Sequence, residues 1–296
     1  MTLPERFFRI ARALPLAGGA ILCMTLAAAI MSAVAALPSA SPWMQASNSK
    51  ARLVSGMVEI AGEPSQLAGV QLRMDEGWKT YWRSPGDSGV PPGFNWSGSK
   101  NLKHAEVLFP APIRFADGNS TAVGYAEEVV FPVKITPERA GEPVELKLTL
   151  DFGICMDLCV PNEVALSLTL PPGGAGTRGD ALLIESALSR VPQQAAAGTL
   201  PRVVAVESKL NGAAPELIVE AEFAAGAEDT DLFVEAPGVF VPMPNPLGPA
   251  SDGKQRFAVG FKTDAEAEAL KGKPLTLTLV SDKGSTETVW KPKPQS

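Results

Sequence analysis

The feature that most constrains the fold is a pair of segments in which apolar residues occupy every second position, with two cysteines between the segments. Apolar residues occupy every second position over residues 144–154, and the alternation returns over residues 164–170. This period is typical of β-strands that bury one face. We therefore predict two strands joined by a short connection that holds Cys155 and Cys159.

The two cysteines are placed where a disulfide can form. If the strands pair as a hairpin, the cysteines flank its loop, and opposite Cα atoms in a hairpin lie about 4.5–5.5 Å apart, within the range that a disulfide accepts. No other cysteine follows the N-terminal apolar segment. A redox-active disulfide between Cys155 and Cys159 is the leading hypothesis. A purely structural bridge is the alternative, and a loop this short gives it only about 2 kcal/mol of stabilisation.

The N-terminus has the pattern of a secretory signal. Arg6, Arg9 and Arg12 precede a run without charges that extends over residues 13–49 and contains Ala33-Val34-Ala35. Arginines before an apolar core and small residues at its end are typical of a cleaved signal sequence, although the run is long enough for an uncleaved anchor. Either outcome places the rest of the chain in an oxidising compartment, where neighbouring thiols readily form a disulfide.

Composition argues against several classes of function. The formal net charge is −6, and the chain has a single histidine, His104. An acidic chain is a poor partner for nucleic acid, and two cysteines with one distant histidine do not complete a tetrahedral zinc site. We expect neither a cofactor nor a bound metal to be required.

The remaining pattern predicts an all-β protein in two parts. Short strands bounded by turn residues are typical of an antiparallel, immunoglobulin-like β-sandwich. We predict strands in the first part at residues 51–61, 66–74, 105–109, 128–135, 145–154 and 164–170. We predict strands in the second part at residues 202–209, 217–223, 232–235, 256–261 and 275–281.

A linker and a helix separate the two parts. Residues 171–179 are rich in glycine and proline, and residues 180–190 have the apolar spacing of a helix, which Asp180 is expected to cap. The predicted organisation is a signal sequence or anchor (1–40), a β-sandwich with the cysteine pair (45–171), a linker and helix (172–195) and a second, smaller β domain (196–296).

Several motifs occur in an order that points to one family. They are residues 77–92, residues 109–112, residues 124–133, and the sequence Cys155-x3-Cys159-Val160-Pro161. Together they resemble the N-terminal periplasmic domain of the DsbD/ScsB family of thiol:disulfide interchange proteins, over roughly residues 50–171. Residues 180–296 resemble the β region that follows this domain in ScsB-like members. Family members usually also carry a membrane-embedded domain and a thioredoxin-like domain, and we expect this chain to be a form with neither.

The resemblance implies a function and a set of site residues. It implies periplasmic thiol–disulfide exchange through Cys155 and Cys159, with a membrane electron donor and thioredoxin-like periplasmic partners. In the family the second cysteine, here Cys159, exchanges with partners, and the first resolves the mixed disulfide. Aromatic residues and a cap loop shield the pair in the family; the candidates for that role here are Trp78, Tyr81, Phe115 and Tyr125.

Two other functions remain open. Two thiolates, with Met156 between them and Met243 in a proline-rich segment, could hold Cu(I), which prefers sulfur ligands. The chain would then be a periplasmic copper-binding or delivery module that contributes to copper tolerance. The other alternative is an immunoglobulin-like interaction domain in which the disulfide only stabilises the hairpin.

Overall fold

The computed structural model describes residues 38–292, except residues 61, 119, 175–176, 213 and 249–252. The signal sequence or anchor predicted for residues 1–40 lies outside this part, apart from Pro38, Ser39 and Ala40. Within the described ranges, no helix is long and apolar enough to cross a membrane.

The first part of the chain forms antiparallel strands, as its alternating pattern predicts. These strands are β1 (Met44–Ala46), β2 (Ser49–Ile60), β3 (Glu63–Met74), β4 (Lys79–Gly86), β5 (Gly93–Asn95), β6 (Leu102–Val107), β7 (Ile113–Asp117), β8 (Ser120–Ala126), β9 (Glu128–Pro137), β10 (Val144–Cys155) and β11 (Cys159–Leu170). A five-stranded sheet has the order β1-β2-β3-β9-β6, and a six-stranded sheet has the order β11-β10-β4-β8-β7, with β5 paired to β10.

One face of each sheet contributes to a shared core. Leu53 and Phe131 from the five-stranded sheet meet Leu148 and Phe152 from the six-stranded sheet, and all four are buried. Because side chains alternate between the faces of a strand, the apolar positions of the sequence pattern fall on the core side. The predicted immunoglobulin-like β-sandwich is confirmed.

The hairpin that carries the cysteines is longer than the sequence predicts. Strands β10 and β11 pair continuously from Val144 opposite Leu170 to Cys155 opposite Cys159. The sequence predicted that the second strand begins near residue 164, because Pro161 and polar neighbours interrupt the apolar pattern. Strand β11 lies at the edge of its sheet, where a proline is tolerated.

Strands β7 and β8 were not predicted from the sequence. They form a hairpin in which Asp117 pairs with Ser120, and β8 lies beside β4 in the sheet. The polar turn after Asp117 and the glycine at position 124 interrupt the alternation that identifies strands. This hairpin brings residues 113–117 to the end of the sandwich where the cysteines lie.

The predicted helix forms, but Asp180 does not cap it. Helix α1 spans Arg178–Leu188, and its N-cap is Thr177, whose Oγ1 accepts a hydrogen bond from the Asp180 backbone N at 3.1 Å. The helix buries Ile184 against the five-stranded sheet. The helix packs closely on strand β2 because residue 56 is glycine: a Cβ there would lie 2.6 Å from the Ala181 Cα.

The second part of the chain forms two further four-stranded sheets around its own core. Their elements are β12 (Gln193–Gln194), β13 (Arg202–Lys209), β14 (Glu216–Glu222), β15 (Asp231–Glu235), β16 (Asn245–Pro246), β17 (Lys254–Gly260), α2 (Asp264–Leu270), β18 (Leu275–Ser281) and β19 (Gly284–Trp290). The sheet orders are β12-β19-β18-β15 and β13-β14-β17-β16. Helix α2 and strand β19 were missed, because one is short and the other has few apolar residues. The division into a β-sandwich (45–171), a linker and helix (172–195) and a second β domain (196–296) stays a prediction.

Candidate functional site

The two cysteines form a disulfide at the end of the β10–β11 hairpin. Their Cα atoms lie 4.2 Å apart. The two cysteines differ in exposure: Cys155 is only 3% exposed, whereas Cys159 lies at the surface. Leu158, in the loop between them, is 76% exposed. An approaching molecule therefore meets Cys159 before Cys155.

Tyr81 lies against the disulfide. It belongs to β4, in which Lys79, two residues earlier, pairs with Cys155. The Tyr81 hydroxyl is 3.1 Å from Cys159 Sγ, and its side chain is almost fully buried. Because a disulfide sulfur carries no proton, the hydroxyl is the donor in this contact.

Asp117, which the sequence analysis did not select, completes the site. Its Oδ1 lies 3.2 Å from Cys155 Sγ, and its Oδ2 lies 3.4 Å from the Tyr81 hydroxyl and accepts a hydrogen bond from Ser88 Oγ at 2.7 Å. An aspartate before a glycine marks a hairpin turn, so the Asp117-Gly118 pair beside a candidate aromatic was the available signal. The site thus places a carboxylate at Cys155, the buried cysteine, and a phenol at Cys159, the exposed one.

The aromatic candidates separate into two pairs. Phe115 stacks on Tyr81 with ring centroids 6.4 Å apart, and both belong to a small cluster with Cys155. Trp78 and Tyr125 instead pack in the core of the sandwich, where the Tyr125 hydroxyl donates to the Pro110 carbonyl at 2.8 Å. Of the four candidates, Tyr81 and Phe115 are therefore the two that pack in the cluster containing Cys155.

The metal-ligating groups near the disulfide are fewer than the copper hypothesis assumed. Asp117, Cys155 and Cys159 have ligand atoms within 4.8 Å of one another. Met243, one of the two proposed thioether ligands, packs against the sandwich core. The copper hypothesis therefore loses one of its two proposed thioether ligands.

The phenol of Tyr81 is held in its protonated form. Burial and the negative charge of Asp117, which shares the single hydroxyl proton with Cys159 Sγ in a bifurcated hydrogen bond, raise the pKa of Tyr81 from 10.0 to about 12. Burial also raises the pKa of Tyr125, the other tyrosine of the chain, well above its usual value. The Tyr81 hydroxyl therefore remains a hydrogen-bond donor throughout the physiological pH range.

These shifts predict an unusual alkaline titration. At pH 11 a tyrosine with an ordinary pKa is about 90% ionised, but one with a pKa of about 12 is only about 10% ionised. We expect the absorbance at 295 nm of the folded protein to rise late, with neither tyrosine titrating near pH 10. Because the folded state holds the proton of Tyr81 more tightly, the free energy of unfolding should fall between about pH 10 and pH 12.

The control for this titration is the urea-unfolded protein, in which both tyrosines should titrate near pH 10. A Tyr81→Phe variant should lose the Tyr81 contribution to the alkaline decline in stability. Phenolate absorbance with a midpoint near pH 10 in the folded protein would contradict the buried, carboxylate-linked phenol.

Comparison with known proteins places this site in a family. The family model described as "Thiol:disulfide interchange protein DsbD, N-terminal" matches residues 55–171. The crystal structure of the N-terminal periplasmic domain of ScsB from Proteus mirabilis is similar to this chain with a TM-score of 0.67 and 20% sequence identity, covering 86% of this chain and 98% of that chain. None of the curated proteins matches the sequence. Residues 55–171 therefore belong to the family of DsbD N-terminal domains.

Proposed function

We propose that the chain is a thiol–disulfide exchange module that passes two electrons through Cys155 and Cys159 to thioredoxin-like proteins. The observation that carries this proposal is the asymmetry of the disulfide. Cys159 is exposed and receives a hydrogen bond from Tyr81, whereas Cys155 is buried beside the carboxylate of Asp117. A bridge that is only structural requires neither an accessible sulfur nor polar partners.

The exchange proceeds in two steps. In the reduced protein the Cys159 thiolate attacks a sulfur of the partner's disulfide, and the partner's other sulfur leaves as a thiolate. Cys155 then attacks the Cys159 sulfur in the mixed disulfide and releases the partner with both of its thiols. The partner gains two electrons, and the Cys155–Cys159 disulfide is restored.

Asp117 and Tyr81 assist different sulfurs in this sequence. Cys155 must lose its proton before it attacks, and the Asp117 carboxylate, 3.2 Å from its sulfur, is placed to accept that proton. The Tyr81 hydroxyl, 3.1 Å from the Cys159 sulfur, donates a hydrogen bond that stabilises negative charge there. Tyr81 therefore favours the thiolate form of Cys159, whereas Asp117 serves as the base that takes the proton from Cys155 as it attacks.

The cellular setting follows from the family and the predicted signal. We propose that the chain acts in the periplasm, where a membrane protein reduces the disulfide and thioredoxin-like proteins receive the electrons. The division into residues 45–171, 172–195 and 196–296 is part of this proposal. The exchange requires neither a metal nor a nucleotide, since the sulfur atoms carry out the chemistry.

A Cu(I)-binding module is the second candidate function. In the reduced protein two thiolates and the Asp117 carboxylate would converge, and thiolates are ligands that Cu(I) prefers. Titration of the reduced protein with Cu(I) under a competing chelator tests it. Tight binding that Cys155→Ser removes, in a protein that does not exchange with disulfides, would favour copper over exchange.

The reduction potential of the pair tests the main proposal. Equilibration with glutathione buffers should give a value between about −270 and −180 mV, the span of known thioredoxin-like exchange proteins. The measurement uses a Cys23→Ser background, in which the pair is the only source of thiols.

The stability of the reduced protein completes this test. The loop is short, so reduction should lower the free energy of unfolding by no more than about 2 kcal/mol. A potential below about −300 mV, together with a large loss of stability on reduction, would identify the bond as a structural bridge.

A further inference from the structure

Strand β15 of the second part of the chain presents its two faces to different cores. Leu232 and Val234 are buried in the core of the second part. Phe233, between them, is 3% exposed and belongs to the core of the first sandwich. Because side chains alternate along a strand, Asp231 and Glu235 share the face of Phe233. This face of β15 is directed at the sandwich that carries the disulfide.

The first ion pair of this face holds the strand of Asp117. Arg114 lies on β7, and its Nε and Nη2 donate to the two carboxylate oxygens of Asp231 at 2.9 and 2.6 Å. Strand β7 lies at the edge of its sheet, beside β8. A bidentate arginine–carboxylate pair restrains the relative orientation of the two side chains as well as the distance between them. The Arg114–Asp231 pair therefore restrains the strand at whose end Asp117 meets Cys155.

The second ion pair holds the strand of Tyr81. Arg83 lies on β4; its Nη2 donates to Glu235 at 2.7 Å and also to Glu287 of strand β19. Its neighbour Trp82 packs on Phe233 with ring centroids 5.5 Å apart. Burial alone would lower the pKa of Arg83, but the two carboxylates outweigh burial and raise it. Arg83 therefore keeps its positive charge in this contact.

We propose that Arg83 and Arg114 are positioning residues for thiol–disulfide exchange, through which strand β15 sets the placement of Tyr81 and Asp117 at the sulfurs. This inference rests on the proposed exchange function and adds a role for residues 231–235 in it. The two strands that carry the polar groups of the site each bear an arginine that pairs with a carboxylate of the second part of the chain. When Arg114 loses its partner, β7 is held by its hydrogen bonds to β8, by the stacking of Phe115 on Tyr81 and by the Ser88–Asp117 hydrogen bond, and the Asp117 carboxylate shifts relative to Cys155.

A double-mutant cycle tests whether Arg114 acts through Asp117. The reduced full chain is mixed with oxidised glutathione, and the rate of Cys155–Cys159 disulfide formation is followed after acid quenching by mass spectrometry. We expect Arg114→Ala to slow this rate at least about fivefold at pH 7, because a displacement of a catalytic group by a fraction of an ångström weakens proton transfer strongly. In an Asp117→Asn background the same substitution should change the rate by less than about twofold, because the group that it positions is already absent.

Three further variants make the test specific. Asp231→Asn keeps the shape of the contact and should reproduce the effect of Arg114→Ala. Arg83→Ala should likewise lose its effect in a Tyr81→Phe background. The matched control is Arg202→Ala, which removes an arginine paired with Glu222 on strands β13 and β14 and should leave the rate unchanged. Circular dichroism establishes that each variant is folded at the assay temperature.

The outcomes separate this inference from the proposed function. A wild-type protein that fails to oxidise its thiols with glutathione disulfide would overturn the exchange function and this inference with it. An active wild type with Arg114→Ala at the same rate would overturn the inference alone. Equal slowing by Arg114→Ala in the wild-type and Asp117→Asn backgrounds would also overturn it, since the arginine would then act independently of the carboxylate.

Discussion

Replacing Cys155 with serine is expected to leave a protein that accumulates mixed disulfides with a thioredoxin-like partner, whereas Cys159→Ser should accumulate almost none. Cys159 is exposed and accepts a hydrogen bond from Tyr81, so it remains able to attack a partner's disulfide after Cys155 is removed. Cys155 is 3% exposed, so a partner's sulfur cannot reach it without movement of the hairpin. We expect trapping by the two variants to differ at least about tenfold, since exchange requires access to the attacking sulfur.

The trapping experiment uses a purified, oxidised thioredoxin-like protein and non-reducing gels, with mass spectrometry to identify the joined cysteines. Neither variant can complete exchange, because no second thiol remains in the hairpin to release the partner. The double variant Cys155→Ser/Cys159→Ser is the control for reaction at Cys23. Equal trapping by both single variants would reject the assigned roles. Trapping by neither would favour the structural bridge or the copper-binding module.

Replacing Gly124 with alanine should cost the protein about 3 kcal/mol of stability, near the upper end for overpacked sites. A Cβ at position 124 would lie 1.8 Å from the carbonyl oxygen of Thr80, which is backbone and cannot rotate away. Gly124 pairs with Tyr81 on one side and with Ile113 on the other. The added methyl group would therefore force β8 away from β4, the strand that carries Tyr81.

Urea unfolding followed by circular dichroism measures this loss, and the slope with urea shows whether unfolding remains two-state. The matched control is Gly260→Ala in strand β17, where nothing lies within 4 Å of the added Cβ. We also expect exchange by the surviving folded Gly124→Ala protein to be slower, since Tyr81 moves relative to Cys159. Equal stabilities of the two alanine variants would show that β4 and β8 separate without cost.

The sequence determined the parts of the site that depend on neighbours along the chain. The period of two over residues 144–154 predicted a strand with one buried face, and the short connection placed Cys155 and Cys159 opposite each other. Only four positions separate these cysteines, so local strand pairing alone brings them together. Tyr81 and Phe115 were available as candidates because the family that the chain resembles shields its cysteine pair with aromatic residues.

The tertiary structure decided every contact that joins distant segments. Asp117 contacts Cys155 although 38 positions separate them in the sequence, and Tyr81 contacts Cys159 although 78 positions separate them. Both contacts depend on the arrangement of β10, β4, β8 and β7 as neighbours in one sheet. Alternation specifies which face of a strand is buried but not which strand lies beside it. For the same reason the sequence did not separate Tyr81 from Tyr125. The sequence also did not show which core each residue of β15 joins, because a strand that is buried on both faces lacks the alternation of apolar and polar residues.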